Sequence, residues 1–162
     1  MTWALAERWR LVTFRAMSEA EFAALKARMS VEYEQDVARG LGVPVEDVRE
    51  QCQQQIESLM KDGINSSEHR YWTVVAPEVG DIGVLWVALR PRQEAFIYFI
   101  GIDDAYQGRG YGEQAMKQLE AVMRSQGITR IALNVFGDNA VAQRLYQRVG
   151  YRAAAITMVK DI

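Results

Sequence analysis

Apolar residues at Phe22, Leu25, Met29, Tyr33 and Val37 recur every three or four positions, the stripe of an amphipathic helix. Ser18 and Glu21 form a capping box at its start, and Met17 with Phe22 suits a hydrophobic staple. Gly40 and Gly42 are expected to break the helix. Pro44 then fits the first turn of a second helix, with Glu46 and Asp47 near its positive end and Val45, Val48, Cys52, Ile56 and Leu59 as its inward stripe. Upstream, residues 9–17 alternate weakly and predict a first strand.

Beyond a turn-rich connection at 62–67, the period shortens to two. Residues 71–76 and 82–89 read as strands around a turn at 77–81, and residues 95–102 are apolar on both faces, as in a covered central strand. A glycine-rich turn leads into a helix with Ala115, Met116, Leu119, Val122 and Met123 inward, stopped by Gly127. Residues 129–136 predict a strand, 140–149 a short helix ended by Gly150, and 151–159 a last strand. Short turns imply antiparallel neighbours, whereas the helical crossover from Ile102 to Thr129 implies one parallel pair. The expectation is an α/β (α+β) fold in a single domain over residues 1–162. Its sheet is mixed and mostly antiparallel, with helices on both faces.

Composition narrows the function classes. With 162 residues, 49% hydrophobic and 25% charged, the chain has the make-up of an ordinary globular domain. A net charge of −2 and a pI of about 5.5 give no basic field for nucleic acid. The apolar runs at 82–89 and 95–102 fall short of the ~18 residues of a membrane span. Glu7, Arg8 and Arg10 interrupt any secretory apolar region. The single cysteine, Cys52, excludes an internal disulfide and suits a reducing compartment, so a cytoplasmic location is expected. Metal is not expected, because no cluster of His, Cys and carboxylates has ligand spacing.

The candidate chemistry lies in Gln107-Gly108-Arg109-Gly110-Tyr111-Gly112, between the apolar strand and its helix. Glycines permit close backbone approach, and the N–H groups at a helix start, with the dipole behind them, form an anion site. The run lacks the Lys-Ser/Thr of a P-loop and the spacing of a dinucleotide fingerprint. Taken alone, it is either a phosphate cradle or a tight turn whose glycines serve packing.

The run from Ile100 to Gly112 resembles the acetyl-CoA signature Gln/Arg-x-x-Gly-x-Gly/Ala of the Gcn5-related N-acetyltransferase (GNAT) superfamily. Asn139, Ala142, Leu145, Tyr146 and Gly150-Tyr151 resemble that superfamily's second element, Asn-x-x-Ala-x-x-Leu-Tyr-x-x-x-Gly-Phe/Tyr. Gly83-Val84-Leu85-Trp86, Glu94 to Tyr98, Leu133 to Asn139 and Met158-Val159-Lys160 are similar to a little-characterised bacterial subfamily of N-acetyltransferases with no known substrate.

The resemblance implies the GNAT-type acyl-CoA N-acyltransferase fold, acetyl-CoA as cosubstrate and an amine acceptor, either a small molecule or a peptide. It implies that N–H groups of Gly108, Arg109, Gly110, Tyr111 and Gly112 hold the pyrophosphate, with Gln107 opening the loop. Ile100, Gly101 and Ile102 would pair with the pantetheine arm, and the N–H of Ile100 would polarise the thioester. Asn139, beside Ala142, would bond the pantetheine amides, and Tyr146 would assist the departing thiolate. From chemistry alone Tyr146 reads first as a buried aromatic beside Ala142 and Leu145, and second as a phenol able to donate to the thiolate; the catalytic role is what the resemblance implies. A homodimer is compatible with the resemblance.

The proton acceptor is the weak point. Phe99 and Phe96 stand where relatives carry acidic residues, leaving Glu94, a water relay or, less suitably, Tyr98. His69 reads as a surface residue, Trp72 and Trp86 as sheet packing, and Cys52 as core. Glu32, Glu34 and Asp36 read either as a solvated face or as an attraction for a cationic amine. The expected reaction is direct attack of a primary amine on acetyl-CoA in a ternary complex. Its competitors are a non-catalytic acyl-CoA-binding regulatory module and transfer of a longer acyl group.

Overall fold

A computed structural model describes residues 11–162, so Trp9 and Arg10, where the expected first strand would begin, lie outside the described residues. The chain contributes to two compact units that interleave in sequence. One takes the residues up to Ser18 together with Ile64–Asn134, and the other takes Glu19–Gly63 with Val135–Ile162.

The first unit is built on a five-stranded mixed sheet in chain order. Thr13–Ala16 (β1), His69–Ala76 (β2), Gly80–Arg90 (β3) and Glu94–Ile102 (β4) pair antiparallel in succession, and Arg130–Leu133 (β5) joins β4 in parallel. The parallel step needs the crossover that Tyr111–Ser125 (α3) supplies, and α3 packs against β4. In the middle of the sheet Ile82, Leu85, Val87, Ala95 and Ile97 are buried, as are Ala115, Met116, Leu119 and Met123 on α3. Each of the isoleucine, leucine, valine and methionine side chains among these stabilises the fold by ~1.5–3 kcal/mol relative to exposure. The mostly antiparallel mixed sheet is the expected one.

The second unit contains Glu19–Leu41 (α1), Val45–Leu59 (α2) and Ala140–Arg148 (α4). Ala38, Val48 and Cys52 form a buried cluster flanked by Tyr33, Val37, Val43 and Val45, which joins the predicted stripes of α1 and α2. Contrary to the sequence reading, α1 does not stop at Gly40 but runs through it to Leu41, and the turn comes at Gly42 with φ +68°. Gly40 serves close approach instead. A Cβ there would stand 2.8 Å from Cδ1 of Phe136.

Two other expectations fail. The strand predicted over 129–136 is confined to β5, and the strand predicted over 151–159 does not form. Residues 152–162 are exposed and irregular despite their alternating pattern. A strand exists only where a neighbour completes its ladder, and no such neighbour occurs among the described residues. No helix among them is long and apolar enough to cross a membrane.

Candidate active site

The register of β4 creates an opening in the sheet. Trp86 stands opposite Phe99, whereas Val87 stands opposite Ile97, so Tyr98 is the extra residue of a β-bulge. On the other side, β4 pairs with β5 only from Glu94–Arg130 to Ile97–Leu133. Past the bulge, residues 98–102 keep β3 on one side and, among the described residues, pair with no strand on the other. This leaves Ile100, Gly101 and Ile102 on a backbone edge that an extended ligand could join as a strand joins a sheet. Gly101 sits hard against β3, because a Cβ on Gly83 would come within 2.3 Å of the Gly101 carbonyl oxygen.

The edge runs directly into the glycine turn. Asp104–Tyr106 form one 3₁₀ turn, and the Gln107 side chain folds back, its Nε2 donating to the Ile102 carbonyl at 2.9 Å and to Asp104 Oδ1 at 3.2 Å. Gln107 therefore fixes the loop to the end of β4 through its own side chain. Gly108 (φ +74°) and Gly110 (φ +81°) both adopt the left-handed conformation that disfavours other residues. Gly110 is the N-cap of α3, and the first helical bond runs from Gln114 N–H to the Gly110 carbonyl at 3.1 Å. The N–H groups of Tyr111, Gly112 and Glu113 precede that ladder and lie at the positive end of the helix dipole. The Glu113 carboxylate, an unwelcome charge beside a phosphate, is drawn to Lys117 Nζ at 3.3 Å. In the same turn Gln114 Oε1 is buried without a protein donor, an acceptor that an amide-bearing ligand or a water would satisfy.

Within the second unit, Asn139 caps α4, its Oδ1 accepting from Ala142 N–H at 3.1 Å. The carboxamide NH₂ is the part left to donate to a ligand. The loop before it is anchored by Arg39, whose guanidinium meets Asp138 at 2.5 Å and Asp36 at 2.6 Å. Gln143 Nε2 adds bonds to the carbonyls of Phe136 and Gly137, each at 3.0 Å. Tyr146 is half-buried on α4 beside the ring of Tyr151, and burial raises its phenol pKa above the ordinary tyrosine value. Cys52 is buried, and its thiol pKa is raised by burial and by the nearby Glu34 carboxylate, which makes it a poor nucleophile.

Other candidates take up structural duties. Glu94 opens β4, so at ~3.3 Å per residue it lies about 20 Å along the strand from Ile100. Its carboxylate faces Arg90, 3.7 Å away. That separation removes Glu94 as a direct base at Ile100. The Arg90 guanidinium covers the Phe96 ring at 3.7 Å and donates to Tyr98 Oη at 3.0 Å.

The acidic residues of α1 do not form a common patch. Glu32 pairs with Arg28 at 2.6 Å, Asp36 with Arg39, and Glu34 is buried within 3.4 Å of Arg49 and 3.5 Å of Gln53. His69 is not a simple surface residue. Its Nδ1 accepts from the buried Trp86 indole at 2.9 Å, and its ring lies among Tyr71, Trp86 and Tyr98. The signal available in the sequence was its period-two spacing with Tyr71 and Thr73 on β2, both of which are buried.

Comparison with known proteins gives the family and the fold. The family model described as the acetyltransferase (GNAT) family matches residues 34–151. The uncharacterized N-acetyltransferase YdgE of Bacillus subtilis (strain 168) is 34% identical over 155 residues, covering 93% of this chain and 98% of YdgE. YycN of the same organism, also an uncharacterized N-acetyltransferase, is 33% identical over 132 residues, covering 80% of this chain and 84% of YycN. The crystal structure of YycN superimposes with a TM-score of 0.87, at 28% identity, over 93% of this chain and 98% of that one. The spermidine N-acetyltransferase of Vibrio cholerae, solved with CoA and spermine, shares the fold with a TM-score of 0.60 at 16% identity, over 86% of this chain and 80% of its own.

Proposed function

The chain belongs to the GNAT acetyltransferase family and is an enzyme, and on that premise we propose that residues 1–162 act as one domain that transfers acetyl from acetyl-CoA directly to a primary amine. The observation that carries this reading is the ending of the β4–β5 ladder at Ile97 and Leu133, which leaves the end of β4 leading into a turn with two left-handed glycines at a helix N-terminus. One feature offers a backbone edge to an extended, amide-bearing arm. The next offers N–H donors to a diphosphate.

In this mechanism the N–H groups from Gly108 through Gly112 hold the pyrophosphate, and the β4 edge at Ile100 to Ile102 orients the pantetheine. The Ile100 N–H donates to the thioester oxygen as the amine adds to the carbonyl carbon. One such donor contributes ~10²–10³ in rate. The tetrahedral adduct then collapses, the carbon–sulfur bond breaks, and Tyr146 gives a hydrogen bond or proton to the thiolate. The amine must arrive neutral, and with Phe96 and Phe99 apolar its proton leaves through water. The protein meets the chemical requirement at the cosubstrate and leaves deprotonation to solvent, which suits an acceptor whose amine is partly neutral at the working pH. Small polyamines belong in the acceptor panel, because the spermidine N-acetyltransferase of Vibrio cholerae shares the fold.

Calorimetry with CoA and acetyl-CoA tests the binding half, and thiol release across a panel of amines tests the transfer half. Micromolar binding with amine-dependent release is expected. Binding to neither coenzyme would end the proposal. For Tyr146→Phe, kcat is expected to fall by ~10²-fold with KM for acetyl-CoA almost unchanged, because an acid acting on the leaving group matters in the transition state. Burial raises the Tyr146 pKa, so the phenol stays protonated as pH rises. The wild-type kcat should therefore show no descending limb below about pH 10. An unchanged kcat in the phenylalanine variant would remove Tyr146 from the mechanism.

A further inference from the structure

We propose that Arg39 is a positioning residue for Tyr146, holding the short helix α4 at the angle from which its phenol serves the departing thiolate. The inference rests on the leaving-group role given to Tyr146 above. Every residue it uses belongs to the second unit.

The need for such a residue follows from α4 itself. Nine residues are too few for a helix to be stable alone in water, so contacts with the rest of the fold must place it. Yet no residue of α4 is buried, and Ala142, Leu145 and Tyr146 are only half-buried. An apolar face so thinly covered fixes an orientation poorly.

The stretch before the helix is better held. The N–H groups of Asn139 and Ala140 donate to the carbonyls of Phe136 and Asp138, at 3.0 and 3.1 Å. Gln143 Nε2 reaches back to the carbonyls of Phe136 and Gly137, and Asn139 Oδ1 accepts from Ala142 N–H. Residues 136–139 and the first turn of α4 thereby form one hydrogen-bonded piece. Whatever holds Phe136 and Asp138 sets the direction of the helix.

Both are held by α1. Arg39 Nε donates to Asp138 Oδ2 at 2.5 Å, and its Nη2 donates to Asp36 Oδ1 at 2.6 Å, one turn earlier on α1. Asp36 fixes the guanidinium plane and the plane fixes Asp138, a bridge that the rigid fork of arginine suits. Beside it the Phe136 ring lies against Gly40, where a Cβ would stand 2.8 Å from Cδ1. Tyr146 lies about 10 Å along the axis from Asn139, at 1.5 Å per residue. A tilt of ~6° at the cap would displace the phenol by about 1 Å, a misplacement able to lower a rate by ~10²-fold.

The same bridge contributes little to stability. The side chains of Arg39, Asp36 and Asp138 are 53%, 41% and 45% exposed, and exposed ion pairs of this kind hardly alter folding. A positioning role and a structural one therefore predict different results.

Arg39→Ala is expected to lower kcat by at least ~10-fold, while the melting temperature moves by less than ~4 °C. Arg39→Lys keeps the charge without the fork and should recover part of the loss. Gly40→Ala presses on Phe136, leaves both charges, and should lower kcat in the same sense. The decisive readout is the double variant. Added to Tyr146→Phe, Arg39→Ala should leave kcat where Tyr146→Phe alone puts it, because the group being positioned is gone. Steady-state kinetics at saturating acetyl-CoA with one amine, beside melting curves, measures every variant. Losses that multiply in the double variant, a wild-type kcat in Arg39→Ala, or a melting temperature lowered by more than ~10 °C would each overturn the positioning role and leave Tyr146 in the mechanism. An unchanged kcat in Tyr146→Phe alone would remove the premise and the positioning role together.

Discussion

Gly110→Glu is expected to lower affinity for CoA and acetyl-CoA by ~10³-fold while the protein stays folded. The two effects separate because of where the residue sits. A Cβ at Gly110 meets nothing within 4 Å, so the new side chain has room, and the folding cost is only the left-handed backbone at φ +81°, ~1–2 kcal/mol. The binding cost is larger. A carboxylate at the N-cap would stand within ~4 Å of the proposed pyrophosphate, a repulsion of about 4 kcal/mol per charge pair at an effective dielectric of 20. It would also occupy the N–H donors that the phosphate needs. Gly110→Ala separates strain from charge and should cost affinity only ~10-fold. Calorimetry on the three proteins, with melting curves beside it, reads both quantities. Equal affinity in wild type and the glutamate variant would place the diphosphate elsewhere.

The sequence made these positions legible because the chemistry of the turn is written in residue type. Glycines at 108 and 110 are needed where the backbone turns left-handed, and the helix after them is visible in the stripe from Ala115 to Met123. The strands from β2 to β4 are legible for the same reason, being long, apolar and separated by turn residues. What the sequence did not show was the bulge at Tyr98. It arises from a one-residue mismatch between β3 and β4, and no residue type at 98 announces a register shift. The open edge at Ile100 depends on that mismatch, so its geometry could be expected from family resemblance but not from spacing.

The roles of single polar residues were legible only in part. Asn139 was read as a ligand donor, and its oxygen proves to be a helix cap, a duty that Asn performs widely. Glu94 was the nearest carboxylate in sequence to the missing acid, but the extended rise of a strand carries it away from Ile100 within a few residues. His69 was undervalued because its value comes from Trp86, seventeen positions away, whose indole it accepts. Such pairings are tertiary and have no local signature. The final strand was readable as a pattern and absent as a structure, since a pattern specifies a face and not a neighbour.

Gly83→Ala is expected to destabilise the fold by about 3 kcal/mol or more. In most strands an alanine in place of glycine would stabilise by reducing the freedom of the unfolded chain. Here the added Cβ would stand 2.3 Å from the Gly101 carbonyl oxygen and 3.1 Å from the Ile102 Cα, both backbone atoms of β4. No side-chain rotation can relieve that contact, so β3 and β4 must part. They lie in the middle of the five-stranded sheet, where Ile82 and Leu85 are fully buried, and the movement is resisted on both sides. At ~2–4 °C per kcal/mol for a chain of this size, the melting temperature should fall by roughly 6–12 °C. Gly101 also lies on the proposed pantetheine edge, so the surviving folded protein should bind acetyl-CoA more weakly, a loss that persists well below the melting transition. A melting temperature equal to or above wild type would mean that β3 and β4 do not approach at Gly83 as closely as the structure has them, and the positioning of the Ile100–Ile102 edge would have to come from another contact.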